Sequence, residues 1–358
     1  MREVLDALDA WLARGERAAL ATVVETQRSA PQPPGAKMAL ASGGQVAGAV
    51  SGGCVEGAVV EVAERVLAGA APELRRYGIA DEEAWDVGLP CGGELAVWIQ
   101  AFDPAGPQGA FASLVRDDGR GALVTLLAGG PSPGAALLVD ADRGTTGTLG
   151  APALDAAGAE LAHEAMWTER RGLHEVAGAT LFVDAIAPKP RLIVFGAVDF
   201  AAQLSALATV AGWRTFVVDP RSRFATAERF PAAERVIDAW PEEALAQLGG
   251  IDRATSIAVL THDPKLDDAA LLAALRSEAA YVGAMGSRRA QARRRERLLA
   301  AGLEPEALDR LAAPIGLDLG AVTAEETAVS ILGELIAVRR GRTGGRLADA
   351  RGRVHEAV

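Results

Sequence analysis

The sequence predicts an α/β protein in two parts. Residues 1–187 read as a pseudo-duplicated α/β domain, and 191–340 as a Rossmann-like, doubly wound parallel sheet. Three observations predict this. The pattern that begins at Ala19 recurs from Ala122, Pro188-Lys189-Pro190 makes a stiff break, and beyond it short apolar runs alternate with helical patterns. At 358 residues, 50% of them hydrophobic, the chain exceeds one ordinary core and can fill two or three.

Charge and composition narrow the partners. A net charge of −11 supplies no global field for phosphate polymers, so neither nucleic acid nor an anionic membrane is expected as a partner. Met1-Arg2-Glu3-Val4-Leu5-Asp6 is charged through its first turn, unlike a signal peptide, and no apolar run reaches membrane-spanning length. A cytoplasmic location is the expectation. There, two cysteines argue for ligand or redox roles rather than a structural disulfide.

Val4, Leu5, Leu8, Trp11 and Leu12 recur at helical spacing and predict a first amphipathic helix ending near Gly15. Residues 19–25 form a buried strand, followed by a proline-rich loop from Thr26 to Gly35. Two apolar runs, 37–40 and 45–50, turn at Ser42-Gly43-Gly44 and lead into Ser51-Gly52-Gly53-Cys54-Val55-Glu56-Gly57, which opens a helix over 58–67. Cys54 thus sits at a helix start. Unpaired backbone N–H groups and the helix dipole favour an anion there, including a thiolate. Cys91 lies in a second glycine turn, Gly88-Leu89-Pro90-Cys91-Gly92-Gly93, before a strand over 94–102. Two readings stay open for both thiols: small buried hydrophobes, or reactive and metal-ligating groups. The acidic cluster between Asp81 and Asp86 reads most simply as a solvated face, with metal or acid-base use as the second reading.

The repeat is specific. Ala122-Leu123-Val124-Thr125-Leu126-Leu127 echoes Ala19-Leu20-Ala21-Thr22-Val23-Val24, and the steps Gly134 to Gly147 and Gly35 to Gly48 are both thirteen residues. The second copy lacks cysteine and is expected mainly to complete the sheet of the first.

After the linker, residues 191–195 make a strand, Gly196 begins the turn into a helix over 200–211, and 215–218 make a second strand ending in Asp219. That is the Rossmann position for a carboxylate that grips a ribose hydroxyl. The fingerprint is altered: Val198 stands where a second glycine lets backbone approach pyrophosphate, and Asp199 adds a negative charge. A third strand, 256–260, ends in Thr261-His262-Asp263-Pro264-Lys265, where His262 is either a turn residue or a base, ligand or hydrogen-bonding group. Tyr281-Val282 is a fourth strand. Gly286-Ser287-Arg288-Arg289 then opens a helix whose first arginines suit an anion, and whose later ones, Arg293 to Arg297, read as a solvated face. Residues 324–338 form a closing helix, and the Arg/Gly-rich tail, 341–358, reads as disordered.

Taken together, Pro34-Gly35-Ala36-Lys37-Met38, the Cys54 and Cys91 turns, Thr261-His262-Asp263-Pro264, Gly286-Ser287-Arg288-Arg289 and Pro314-Ile315-Gly316-Leu317-Asp318 resemble, in order, the motifs of the XdhC/CoxI family. The resemblance runs to about Arg340. It implies a cytoplasmic homodimer that binds the molybdenum cofactor, as molybdopterin or molybdopterin cytosine dinucleotide. Such a protein guards the cofactor during sulfuration by a cysteine desulfurase and hands it to the apo-enzyme of a molybdenum hydroxylase. On that reading Cys54 and Cys91 contact the metal, with Gly52, Gly53, Glu56 and Gly92 around them. Gly196, Asp219, His262, Ser287 and Arg288 line a crevice for the phosphate or nucleotide part. The chain departs from the family at Gly196-Ala197-Val198-Asp199-Phe200, where Gly-Ala-Gly-His-Val is common, and at Ala30-Pro31-Gln32, where a Ser-Pro-Arg segment is usual. Two other readings compete with a cofactor chaperone: an NAD(P)-dependent oxidoreductase built on Gly196 and Asp219, and a scaffold without catalysis that recruits a sulfurase.

Overall fold

Apolar residues of the first unit fall into two sets because a strand points alternate side chains to opposite faces. Ala19, Ala21 and Val23 pack against one helix, while Ala18 and Leu20 join a separate core. The computed structural model describes residues 1–27, 32–78 and 93–349. It divides into two compact units, the first ending at Pro188 and the second beginning at Lys189.

The first unit runs α1 (Leu5–Ala13), β1 (Ala18–Gln27), β2 (Lys37–Ala41), β3 (Val46–Gly48), α2 (Glu56–Leu67), β4 (Glu73–Tyr77) and β5 (Glu94–Ala101). The same series follows as α3 (Pro107–Arg116), β6 (Gly121–Ala128), β7 (Ala136–Asp140), β8 (Gly144–Gly147), α4 (Pro152–Thr168), β9 (Gly172–Val176) and β10 (Ala179–Ile186). Each copy makes its own antiparallel sheet, ordered β3-β2-β1-β5-β4 and β8-β7-β6-β10-β9. The expectation that the second copy completes the first sheet is therefore corrected: it builds a second sheet of the same order. In α2, Val59, Val62, Ala63 and Val66 recur at helical spacing and cover the outer face of β1; α4 does the same for Ala122, Val124 and Leu126 of β6. The other faces share cores. Leu20 and Ala39 meet Leu123 and Leu138, closed by Trp11 of α1 and Phe111 of α3, and Val24 and Trp98 meet Leu127 and Phe182.

The second unit contains β11 (Arg191–Phe195), α5 (Asp199–Val210), β12 (Arg214–Val218), β13 (Arg235–Ile237), α6 (Pro241–Gln247), β14 (Thr255–Val259) and α7 (Pro264–Leu275). It continues with β15 (Tyr281–Ala284), α8 (Arg288–Ala300), α9 (Pro305–Leu308), β16 (Leu311–Ala312) and α10 (Ala324–Arg339). Its strands form one parallel sheet ordered β13-β12-β11-β14-β15-β16, the Rossmann order. Both faces are covered, so the strands are apolar throughout: Leu192 and Val194 pack with α5 and α10, Ile193 and Phe195 with α6, α7 and α8. Of the tail, residues 341–349 are described, ending in a short turn of helix at Leu347–Asp349, with Gly344 lying against Leu317. Residues 350–358 lie outside the described residues.

One polar contact crosses the middle of the first unit. Lys37 of β2 places its ammonium 2.5 Å from Asp184 of β10, with both side chains almost wholly buried. Arg171 Nε reaches the other carboxylate oxygen at 3.1 Å. Burial pushes the Asp184 carboxyl upward, but Lys37 and Arg171 outweigh it and hold it below the usual range. Lys37→Met leaves a buried carboxylate with one partly exposed partner, which is expected to cost about 3 kcal/mol. Calorimetry of the full chain checks this as a lowered transition. A depressed carboxyl stabilises fully above its unfolded pKa of about 4 and loses that contribution as pH falls through the lower folded value. The gap between wild type and Lys37→Met is therefore expected to narrow below about pH 4.

Candidate functional site

Glu56 is the first residue of α2, two residues after Cys54, and its side chain turns back into the loop before it. Oε1 accepts from the backbone N–H of Ser51 at 2.8 Å, Gly52 at 2.9 Å and Val50 at 3.2 Å. Oε2 accepts from the Ser51 hydroxyl at 2.5 Å, Gly53 N–H at 2.9 Å and Val55 N–H at 3.2 Å. The carboxylate thus sits where the start of α2 and the loop converge their donors. Burial raises its pKa, but the Ser51 hydroxyl and the backbone donors overcome this and hold it at about 2. Gly52 and Gly53, at φ of +103° and +114°, supply the left-handed backbone that curls these N–H groups inward.

This arrangement revises the anion expected at the helix start. Five backbone donors of the loop, those of Val50, Ser51, Gly52, Gly53 and Val55, are taken by Glu56, and the Cys54 N–H goes to Ser51 Oγ at 3.1 Å. Cys54 itself is a free, exposed thiol, and the space beside Gly52, Gly53 and Gly57 is open. The second copy has a smaller version of the tie: Asp155 of α4 accepts from the Thr148 hydroxyl at 2.8 Å and Leu149 N–H at 2.6 Å. Cys91 and Gly92 lie outside the described residues, as do the acidic cluster of 81–86 and Ala30-Pro31.

The second unit gathers the other candidate residues at the carboxyl ends of its strands, where a sheet of this order opens a crevice between β11 and β14. Gly196, at φ +113°, lets Thr261 approach: a Cβ there would stand 2.8 Å from the Thr261 methyl. Asp219 is fully buried and has both oxygens engaged. Oδ2 accepts Ala197 N–H at 2.8 Å and Arg221 Nη2 at 2.6 Å; Oδ1 accepts the backbone N–H and Nε of Arg221 at 2.9 and 2.8 Å. Burial works upward on this carboxyl, and the Arg221 and Ala197 donors bring it below its ordinary value. Val198 is half-buried against the core, and Asp199 pairs with Arg229, which also donates to Ala197 O at 3.0 Å. His262 and Arg288 are exposed, and Ser287 caps α8 by accepting Ala290 N–H at 3.3 Å.

Sequence reasoning missed the network behind these turns. Thr261 donates to Asp267 Oδ1 at 2.8 Å, and Arg294 donates to Asp267 Oδ2 at 2.7 Å and to Met285 O at 3.1 Å. Arg294 is 3% exposed, so the arginines of α8 are not one solvated face. Arg297 also pairs inward, with Asp268. The signal was α7: an acidic pair, Asp267-Asp268, in a helix that is apolar from Ala269 to Leu275 and carries Lys265 as its one cation needs cationic partners from elsewhere.

Comparison with known proteins covers both units. The XdhC and CoxI family matches residues 11–78, and the XdhC Rossmann domain matches residues 192–335. A Bacillus subtilis protein named as a probable subunit of xanthine dehydrogenase is 29% identical over 93% of this chain and 96% of its own. The molybdenum cofactor insertion chaperone PaoD of Escherichia coli is 27% identical over 92% of this chain and 85% of its own. A crystal structure described as a xanthine dehydrogenase from Bacillus halodurans has the same fold, with TM-score 0.61, 24% identity and 98% of each chain covered. With both family domains matched in order, and two relatives aligned over more than nine-tenths of its length, the chain belongs to the XdhC and CoxI family.

Proposed function

We propose that this protein carries the molybdenum cofactor as cargo and delivers it to the apo-enzyme of a molybdenum hydroxylase, with the Cys54 thiol contacting the metal while the cargo is held. The observation that carries this reading is an exposed thiol on a loop whose shape is set internally by Glu56. Molybdenum with sulfur and oxo ligands is soft enough to favour a thiolate. A loop that keeps its shape without cargo can accept and release it with little reorganisation. Relatives named for cofactor insertion and for xanthine dehydrogenase support this assignment. Sulfuration of the held cofactor by a cysteine desulfurase, a cytoplasmic location, Cys91 as a second thiol and the crevice of the second unit as the seat of the pterin phosphate or nucleotide belong to the same proposal. An oxidoreductase using NAD(P) is less well supported, because both Asp219 oxygens are already bonded within the chain.

Apolar residues on α10 support a homodimer. Ala328, Ile331 and Leu335 turn inward, while Val329 and Ile336 are exposed, with Leu332 and Gly333 half-buried between them. Glu325 precedes this stripe and Arg340 follows it. The midpoint of the charges and of the stripe coincides between Leu332 and Gly333. Two copies of α10 laid antiparallel about that point match apolar to apolar and bring each Glu325 beside the other Arg340, a self-complementary contact.

Three outcomes are expected. Cys54→Ser, purified anaerobically from cells that make the cofactor, retains at least about tenfold less molybdenum and pterin at unchanged melting temperature; equal loading sinks the thiol assignment. Glu56→Gln loses about 1 kcal/mol near neutral pH. Because the folded Glu56 pKa is depressed, its contribution is full above about 4.5 and fades as pH falls towards 2, so calorimetry at pH 7 and pH 3 shows a shrinking difference. Sedimentation equilibrium of Glu325→Arg or Arg340→Glu shows dimerisation weakened at least about tenfold and restored in the double variant; a monomeric wild type overturns the interface.

A further inference from the structure

We propose that the first unit holds a second small-molecule site, for a compact organic phosphate, where the end of β1 meets the start of β9. The cavity there measures about 430 Å³ and is lined by Val24, Thr26, Gln27, Pro34, Leu173 and His174, together with Glu25 and the Arg170-Arg171-Gly172 turn. That volume suits a ring bearing one charged group. Cys54 is not among its lining residues, and the proposal does not rest on the cofactor reading.

The backbone builds this cavity from two irregularities. A bulge between Val23 and Glu25 re-aims the end of β1, and Glu169, in the left-handed conformation at φ +56°, ends α4 and turns Arg170 and Arg171 towards it. Arg171 is fixed. Its Nε donates to Ala185 O at 2.9 Å and pairs with Asp184 at 3.1 Å, and its stem crosses Gly35, where a Cβ would stand 2.6 Å from Cδ. Neither Nη group of Arg171 makes a hydrogen bond among the described residues, and Arg170, exposed, makes no hydrogen bond or ion pair among them. The acidic residue of the lining and the one behind Arg171 are matched: Glu25 pairs with Arg76 at 2.6 Å, and Asp184 with Lys37. On a chain of net charge −11, this cavity therefore faces two guanidinium groups, with Glu25 and Asp184 matched by other cations.

The remaining walls define the ligand. Arginine forks with free Nη donors match phosphate oxygens, and Thr26 and Gln27 add neutral donors. Val24, Leu173 and Pro34 offer an apolar wall for a ring. His174, which burial shifts below its ordinary pKa against the pull of Glu164, stands there as a neutral imidazole able to donate one hydrogen bond and accept another.

The test uses the full chain with phenyl phosphate, benzoate and inorganic phosphate as probes in titration calorimetry, and with histidine side-chain NMR. Phenyl phosphate is expected to bind more tightly than either other probe and to shift the His174 resonances while leaving those of His163 and His262 in place. Arg170→Ala, which removes a side chain with no hydrogen bond or ion pair among the described residues, is expected to weaken binding at least about tenfold at unchanged melting temperature, with Arg170→Lys intermediate. No binding of phenyl phosphate, equal binding of benzoate, an unmoved His174 signal or an unaffected Arg170→Ala variant each overturns the site.

Discussion

The first unit depends on the ion pair between Lys37 and Asp184. Those residues belong to different copies of the repeat, one on β2 and one on β10, and their charges meet where the inner faces of two sheets share a core. An apolar contact of the same size would tolerate sliding, because dispersion and burial are not directional. A buried charge pair does not: each group is strongly disfavoured without the other, so the two sheets have one register in which both are matched. Arg171 extends the constraint to the turn before β9, and Gly35 is shaped to let its stem pass. The Pro34-Gly35-Ala36-Lys37 motif is thus, first, a device for joining two copies.

The same logic operates on a smaller scale in the Cys54 loop. A helix start preceded by two glycines is a good anion site, and the protein fills it with its own carboxylate. An internal anion ties the loop from within and leaves the thiol, rather than the bonded backbone donors, as the group offered to solvent. The second unit repeats the device, since Asp219 captures the Ala197 N–H that a Rossmann turn could otherwise present to a phosphate. Two turns that look in sequence like binding sites for anions are both satisfied from within.

That contrast explains what the sequence made legible. Most core strands, several helices and the repeat were readable because alternation and helical spacing are local, whereas β4, β9, β13, α3, α6 and α7 were not read. The Rossmann order follows from parallel strands joined by helices, and the matched lengths around Gly35 and Gly134 exposed the duplication. Whether the second copy extends the first sheet or builds another was not readable, since Ala19 to Val24 and Ala122 to Leu127 are buried on both faces either way. The role of Glu56 was half legible: an acid in the first turn of a helix is expected, but the direction of its side chain depends on how Gly52 and Gly53 curl. Arg294 was hidden among neighbouring arginines that do face solvent, and only its burial with Asp267 separates it from them.

Duplication followed by divergence accounts for the asymmetry of the unit in physical terms. Both copies need a carboxylate at the start of the covering helix to close the preceding loop, and both have one, Glu56 and Asp155. A longer side chain can satisfy a wider loop. Glutamate reaches donors from Val50 to Val55 and so holds the longer non-helical stretch with its glycine pair and cysteine, whereas in the second copy, where α4 already begins at Pro152, aspartate closes only on Thr148 and Leu149. The extra methylene of Glu56 is therefore what allows the first loop to carry an exposed thiol without leaving its backbone donors unmatched. The second copy, with its shorter tie, is left free to supply Asp184 and Arg171, the groups that hold the first copy in place.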